Sequence, residues 1–341
     1  MTTTAHSTTA HPVPDARPDA TPDGAAAPFA KEAAGDGTFR RQGNRFTDRI
    51  TPDSDSAPGA GPDSERRWPL EAGRYRLVVS LACPWAHRSV IDRRLLGLED
   101  ALSMAVVDPI RDDRGWRFTL DPGGRDPVLG DAYLAEAYHR TDPSFTDRVT
   151  VPAVVDTVTG LVVTNDYPQL SLDLSTQWRS LHRPGAPELV PADPAARDEM
   201  DVVMDEVFRD VNNGVYRCGF ATSQAAYEEA YRTLWARMDV LEGRLADRRF
   251  LMGDSITEAD VRLFTTLVRF DAVYHGHFKV NRSKLTELPN LWRYARELFA
   301  IPGFGDTVDF DQIKRHYYGT HPTINPTGIV PVGPDPSVWT S

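Results

Sequence analysis

Cysteine is scarce in this chain, with Cys83 and Cys218 the two among 341 residues. That scarcity excludes a disulfide-stapled secreted scaffold and points to a reducing cytoplasm. No apolar run approaches the ~20 residues of a membrane span, and the first residues lack the basic-then-apolar layout of a secretory leader. Positive charge is not in excess either. A net charge of −11 argues against nucleic acid or an anionic membrane as a partner. Zinc-type ligand spacing, a Gly-rich phosphate loop and a Ser-centred nucleophile elbow are also missing, as are internal repeats. His275-Gly276-His277 stands without neighbouring Cys, Asp or Glu ligands, so no metal is expected.

The remaining composition is that of a soluble globular protein with room for two domains. Residues 1–37 are mostly Ala, Pro, Asp, Thr and Gly, which cannot bury enough apolar area to offset ordering, and are expected to be a disordered tail. Residues 38–73 form an N-terminal extension. In it "TFRRQGNRFTDRI" recovers aromatics and arginines before a second Pro/Gly/Asp/Ser-rich stretch that runs to about Glu65. Structural periodicity begins at Arg74. A strand over 74–81 leads into a helix over 84–97 and a short strand in "LSMAVVDPI", followed by an irregular insertion over 110–148 with one short helix. "VTVPAVVD" and "GLVVTND" read as a hairpin turning at Gly160, and a helix follows Asn165.

Strand-helix-strand and then hairpin-helix, with Pro152 opening the third strand, resembles a thioredoxin fold spanning 74–180. Pro152 reads either as a strand-edge proline or as a cis-proline. Beyond Pro184 and Pro187 the pattern is helical only, over 194–215, 224–247, 257–275 and 289–300, giving an all-α domain over 190–319. Thr257 and Asp260 are spaced as a reciprocal helix cap flanked by Ile256 and Val261. Residues 320–341 hold aromatics among Pro and Gly and are expected to pack as ordered coil.

Cys83 falls where the first strand hands over to the first helix, with Pro84 at the first helical position. Unpaired backbone N–H groups and the helix dipole favour a thiolate there, and Arg88 would add to that field. The alternative is a small buried hydrophobe. Ala86 stands where a dithiol motif would have its second cysteine, so an oxidised Cys83 must be resolved by an external thiol through a mixed disulfide. Cys218 reads as a packing residue.

The motifs "SLACPWAHR", "RVTVPAVVD", "NNGVYRCGFAT", "LMGDSITEADVRLF" and "HYYGTHPTINPTGIVPVGP" resemble those of glutathionyl-hydroquinone reductases, the Xi class of glutathione transferases, from about Phe39 to Pro334. The resemblance implies a glutathione transferase fold, an α/β thioredoxin-like N-terminal domain followed by an all-α C-terminal one, and a homodimer. It implies reduction of thiol-conjugated hydroquinones, with Cys83 as nucleophile and Tyr216 and Tyr317 as hydroxyl donors to the ring oxygens, Tyr318 being a substitute for Tyr317. Without the family, each tyrosine reads as a core aromatic. Thiol binding is implied for Trp116, Arg148, Val151 beside cis-proline Pro152, Asp166 and Tyr167. The last two depart from the family's Glu-Ser: Asp is one methylene shorter and Tyr far bulkier. The thiol co-substrate is therefore read as glutathione or, in an Ala/Arg/Pro-rich chain of actinobacterial type, mycothiol. The alternative activity is a general thiol transferase of omega type, removing thiol adducts from proteins or reducing dehydroascorbate.

Overall fold

A computed structural model of the chain describes residues 32–52 and 67–340. The expected tail over 1–31 and the Pro/Gly-rich stretch over 53–66 lie outside the described residues. Residues 32–37 correct the expectation of disorder. Ala33 bridges to Phe39, and the buried Glu32 pairs with Arg148. One buried ion pair anchors a segment whose composition carries no apolar signal.

Two short strands, β1 (Arg49–Thr51) and β2 (Arg67–Pro69), pair in parallel outside the main sheet. The main sheet contains β3 (Tyr75–Val79), β4 (Leu102–Val106), β5 (Ala153–Asp156) and β6 (Val162–Thr164) in the order β4-β3-β5-β6. β3 runs parallel to β4 and antiparallel to β5, with Leu77 opposite Met104 on one side and Val154 on the other. Every residue of β3 is buried, as befits a central strand covered on both faces. The β5–β6 hairpin turns at Gly160, whose φ of 71° suits glycine.

Helix α1 (Pro84–Leu96) crosses from β3 to β4, and its left-handed C-terminal Gly97 donates back to Arg93 and Arg94 carbonyls. Almost all of α1 is buried because it lies between the sheet domain and the helical domain, contacting the helices Tyr167–Thr176 and Glu258–Leu267. The short helix of the insertion is α2 (Leu134–Thr141), and α3 (Tyr167–Thr176) follows the hairpin.

The helical half holds α4 (Pro194–Val207), α5 (Gly214–Gly219), α6 (Gln224–Arg244), α7 (Glu258–Leu267), α8 (Pro289–Phe299) and α9 (Phe310–Thr320). Two single helices in the sequence pattern are interrupted here. A π-helical turn over Phe208–Asn212 follows α4, and another over Phe270–Tyr274 lies beyond α7. Such turns re-phase the side chains that follow them. The α7 cap forms as spaced: Asp260 Oδ2 accepts from the Thr257 N–H at 2.8 Å, while Oδ1 accepts from Leu251 N at 2.8 Å and the Tyr294 hydroxyl at 2.9 Å. Asp260 is structural. The helix α9 was not expected from the sequence. Asp309 caps it by accepting from the Gln312 N–H at 2.9 Å. Beyond it the chain packs back through Trp339, which meets Trp292 at 4.8 Å and Phe299 at 5.0 Å. Among the described residues, no helix is long and apolar enough to cross a membrane.

Candidate active site

Cys83 caps α1 in extended geometry (φ −79°, ψ 120°), with Pro84 opening the helix and no acidic residue in its first turn. Cys83 is half-buried, and its thiol donates to the Val151 carbonyl at 3.4 Å. That carbonyl belongs to the Val151–Pro152 peptide, which is cis. The strand-edge reading of Pro152 is thereby set aside.

The loop before Cys83 is held by the helical domain. The guanidinium of the fully buried Arg269 donates from Nε to the Ala82 carbonyl and from Nη2 to the Leu81 carbonyl, both at 2.9 Å. Its Nη1 donates to Thr265 O at 2.7 Å and reaches His87 Nδ1 at 3.0 Å. Arginine only donates, so His87 carries its proton on Nε2, which faces Thr307 Oγ1 at 2.8 Å. Burial, then the Arg269 charge, hold His87 well below the ordinary imidazole range, so it is neutral.

Arg88 does not reinforce the field at Cys83 as expected. It turns inward, donating to Asn212 Oδ1 at 2.8 Å and lying 4.8 Å from the Trp85 ring, and burial lowers it to about 9. Arg111 lines the same cleft as Cys83. Burial and the neighbouring Arg148 lower Arg111 to about 10, and the Cys83 charge works in the opposite sense.

One cleft gathers Cys83, Trp85, Trp116, Arg148, Val151, Tyr167, Tyr216 and Tyr317. These include most of the residues singled out from the sequence. Asp166 sits beside it, its Oδ1 accepting from Asn44 Nδ2 at 2.9 Å. Burial raises the Asp166 carboxyl. The Tyr167 ring packs 4.8 Å from Trp85 and is nearly covered, so it fills the space beside the helix start.

On the opposite wall, three hydroxyls form a chain. Tyr216 and Tyr317 are 2.6 Å apart, and Tyr317 and Tyr274 are 2.9 Å apart. Each lies within a few residues of a π-helical turn or on the unexpected α9. Burial raises all three above the ordinary tyrosine range, so all are protonated donors at neutral pH. Tyr318 points elsewhere, donating to Ala272 O at 3.3 Å, so Tyr317 is the one placed in the cleft. Cys218 lies apart, buried, with its thiol pushed up to about 12 by burial.

Sequence reasoning missed Arg41, Gln42, Asn44, Arg111, His316 and His321, which also line the cleft. His316 donates from Nδ1 to Pro109 O at 2.6 Å, stacks 5.2 Å from Trp116, and is lowered to about 3, chiefly by burial. His277, in the pair that might suggest a metal, instead meets His321 Nδ1 at 3.1 Å.

The N-terminal segment reaches Arg148. Both Glu32 oxygens accept from Arg148 Nη2, at 3.0 and 3.2 Å. Gln42 clamps the Arg148 backbone, its Oε1 accepting from N and its Nε2 donating to O, both at 3.0 Å. With these in place the cleft holds about 60 Å³. That is room for a few waters, against the ~300–1,000 Å³ of a small-molecule site.

Residues 224–297 match the glutathione S-transferase C-terminal domain family. The chain is 40% identical over 300 residues to the glutathionyl-hydroquinone reductase YqjG of Escherichia coli (strain K12), covering 87% of this chain and 89% of that protein. The glutathione-bound structure of YqjG superposes with a TM-score of 0.77 at 39% identity, covering 85% of this chain and 93% of that one. A glutathione transferase structure from Gordonia bronchialis shares 58% identity at a TM-score of 0.79, covering 80% of this chain and 85% of that one. The glutathione transferase Xi of Phanerochaete chrysosporium superposes at 0.82, with 39% identity over 89% of this chain and 95% of that one. The chain belongs to the glutathionyl-hydroquinone reductase family, the Xi class of the glutathione transferases.

Proposed function

We propose that this protein reduces thiol-conjugated hydroquinones to free hydroquinones through a mixed disulfide on Cys83. The Cys83 thiolate attacks the thioether sulfur of the ring's keto tautomer. A sulfur–sulfur bond forms and the carbon–sulfur bond breaks. The released electron pair restores the aromatic ring and leaves its oxygen as a phenolate, which takes a proton from the tyrosine chain. A second thiol then attacks the mixed disulfide, expelling an oxidised disulfide and regenerating Cys83. The observation that carries the reading is the Tyr216–Tyr317–Tyr274 hydroxyl chain opening onto the cysteine's own cleft. An omega-type disulfide exchange has no ring oxygen for those hydroxyls to serve.

Trp116, Arg148 and Val151 line the cleft with Cys83, and on this reading a carboxylate-bearing thiol would take the place of Glu32 on Arg148. Glutathione fits that demand. The covered Tyr167 and the Asn44-bound Asp166 favour a thiol without a γ-glutamyl arm, which keeps mycothiol as a second reading. A homodimer in a reducing cytoplasm completes the proposal, supported by the family and by two free cysteines.

The test is mass spectrometry of the protein after incubation with glutathionyl- and mycothionyl-hydroquinone, with the released ring followed by chromatography. A thiol adduct on Cys83 and free hydroquinone are expected. An unmodified cysteine with an intact substrate would end the reading, and turnover with glutathione alone would end the mycothiol variant.

A further inference from the structure

Of the three arginines that line the cleft, Arg148 faces Glu32, and Arg111 lies 5.0 Å from the Trp116 ring. The third, Arg41, comes from the N-terminal segment and goes to the tyrosines. Its guanidinium is wedged between the Trp85 ring at 4.5 Å and the Tyr216 ring at 4.6 Å, with Phe39 at 5.4 Å. Nε donates to Asn213 Oδ1 at 3.0 Å, which ties it to the turn that carries Tyr216. Nη2 is buried and makes no hydrogen bond among the described residues. A cation is thus fixed on flat aromatic faces with one donor edge uncommitted, in the cleft that Cys83 and Tyr317 share.

Carbon–sulfur cleavage leaves negative charge on a ring oxygen in a cleft lined mostly by buried aromatic side chains. A neutral phenol can donate a hydrogen bond to that oxygen but cannot balance its charge. A fixed cation in a poorly solvated site can, and far more effectively than in water. The charge of Arg41 already acts on Tyr216, working against the upward push of burial.

Building on the hydroquinone-reductase reading, we infer that Arg41 is a catalytic residue that binds the ring oxygen of the substrate and carries its negative charge as the carbon–sulfur bond breaks. Tyr216 and Tyr317 then supply the proton while Arg41 supplies the countercharge.

The test compares wild type with Arg41→Met and Arg41→Lys. Single-turnover rates are measured on the glutathione adducts of methyl-, unsubstituted and chlorohydroquinone, and on a small mixed disulfide of glutathione that has no ring. Arg41→Met is expected to slow release of the unsubstituted ring by roughly 10²-fold, the cost of removing one oxyanion-stabilising group. The loss should grow for the less acidic methyl ring, shrink for the chlorinated one, and exceed the loss on the disulfide at least tenfold. Arg41→Lys, which keeps the charge, should recover part of the rate. Equal losses on rings and disulfide, or no dependence on ring acidity, would overturn the inference. A wild type that exchanges the disulfide but releases no hydroquinone would overturn the underlying reading and the inference with it. Melting curves of both variants separate these outcomes from unfolding.

Discussion

Cys83 and Arg148 stand on a wall of the cleft where charged and amide groups satisfy one another, whereas the facing wall from the helical domain is a block of aromatic rings. On the first wall, Glu32, Gln42 and Asn44 reach from the N-terminal segment to Arg148 and Asp166. On the second, Tyr216, Tyr274 and Tyr317 share their hydroxyls, and Tyr216 and Tyr317 pack on Phe278. The difference teaches a division of labour. The polar wall exchanges partners easily, since one carboxylate or amide can replace another at modest cost. The aromatic wall is rigid and pre-aimed, since its hydroxyls have little freedom to reorganise during the reaction. On the proposed reading, specificity for the thiol belongs to the first wall and ring chemistry to the second.

The sharpest way to break this division is Cys83→Ser, which should abolish ring reduction and disulfide exchange together, by about a thousandfold or more, while melting stays unchanged. Next in size is Tyr317→Phe. It should lower ring release roughly 10- to 100-fold and leave exchange of a ringless disulfide less affected. A common loss in both assays would merge the two walls into one function.

A pH titration addresses the aromatic wall's stability. His316 is lowered to about 3 and His277 to about 4, and His321 sits well below its ordinary value, each chiefly through burial. Their unfolded counterparts titrate near 6.5, so between pH 6.5 and 3 the unfolded chain binds more protons and stability falls as the pH drops. The melting temperature should decline steadily from pH 6.5 to 4, and His316→Asn should flatten that slope.

A smaller effect is expected on the first wall. Glu32→Gln removes the carboxylate that occupies Arg148, and KM for the thiol should fall two- to fivefold, matching ~0.5–1 kcal/mol for a partly exposed ion pair. An unchanged KM would show that Arg148 does not receive the thiol. The smallest change belongs to Cys218. With its thiol pushed up to about 12 by burial, it should resist alkylation in the folded protein, and Cys218→Ala should leave turnover unaltered.

Much of this could be read from local sequence. The Cys83-Pro84 junction, Pro152, the Gly160 turn and the Thr257–Asp260 cap are determined by neighbours a few residues away, and the structure forms each one. Tyr216 and Tyr317 came from the family likeness, because nothing local separates a cleft tyrosine from a core one. Arg41, Arg111 and His316 were invisible, being brought together from distant parts of the chain by tertiary folding. Glu32 was hidden in a stretch whose composition reads as unstructured. The π-helical turn over Phe270–Tyr274 breaks the helical period that would place Tyr274.

Arg269 ties the Cys83 loop to the helical half of the molecule. Two carbonyls immediately ahead of the sulfur are gripped from across the seam, so the first half expressed alone would hold its cysteine loop only through the Ser80 and Val151 contacts. A helical half without an arginine at this spot would leave both carbonyls without that partner. Retaining the sulfur would not be enough.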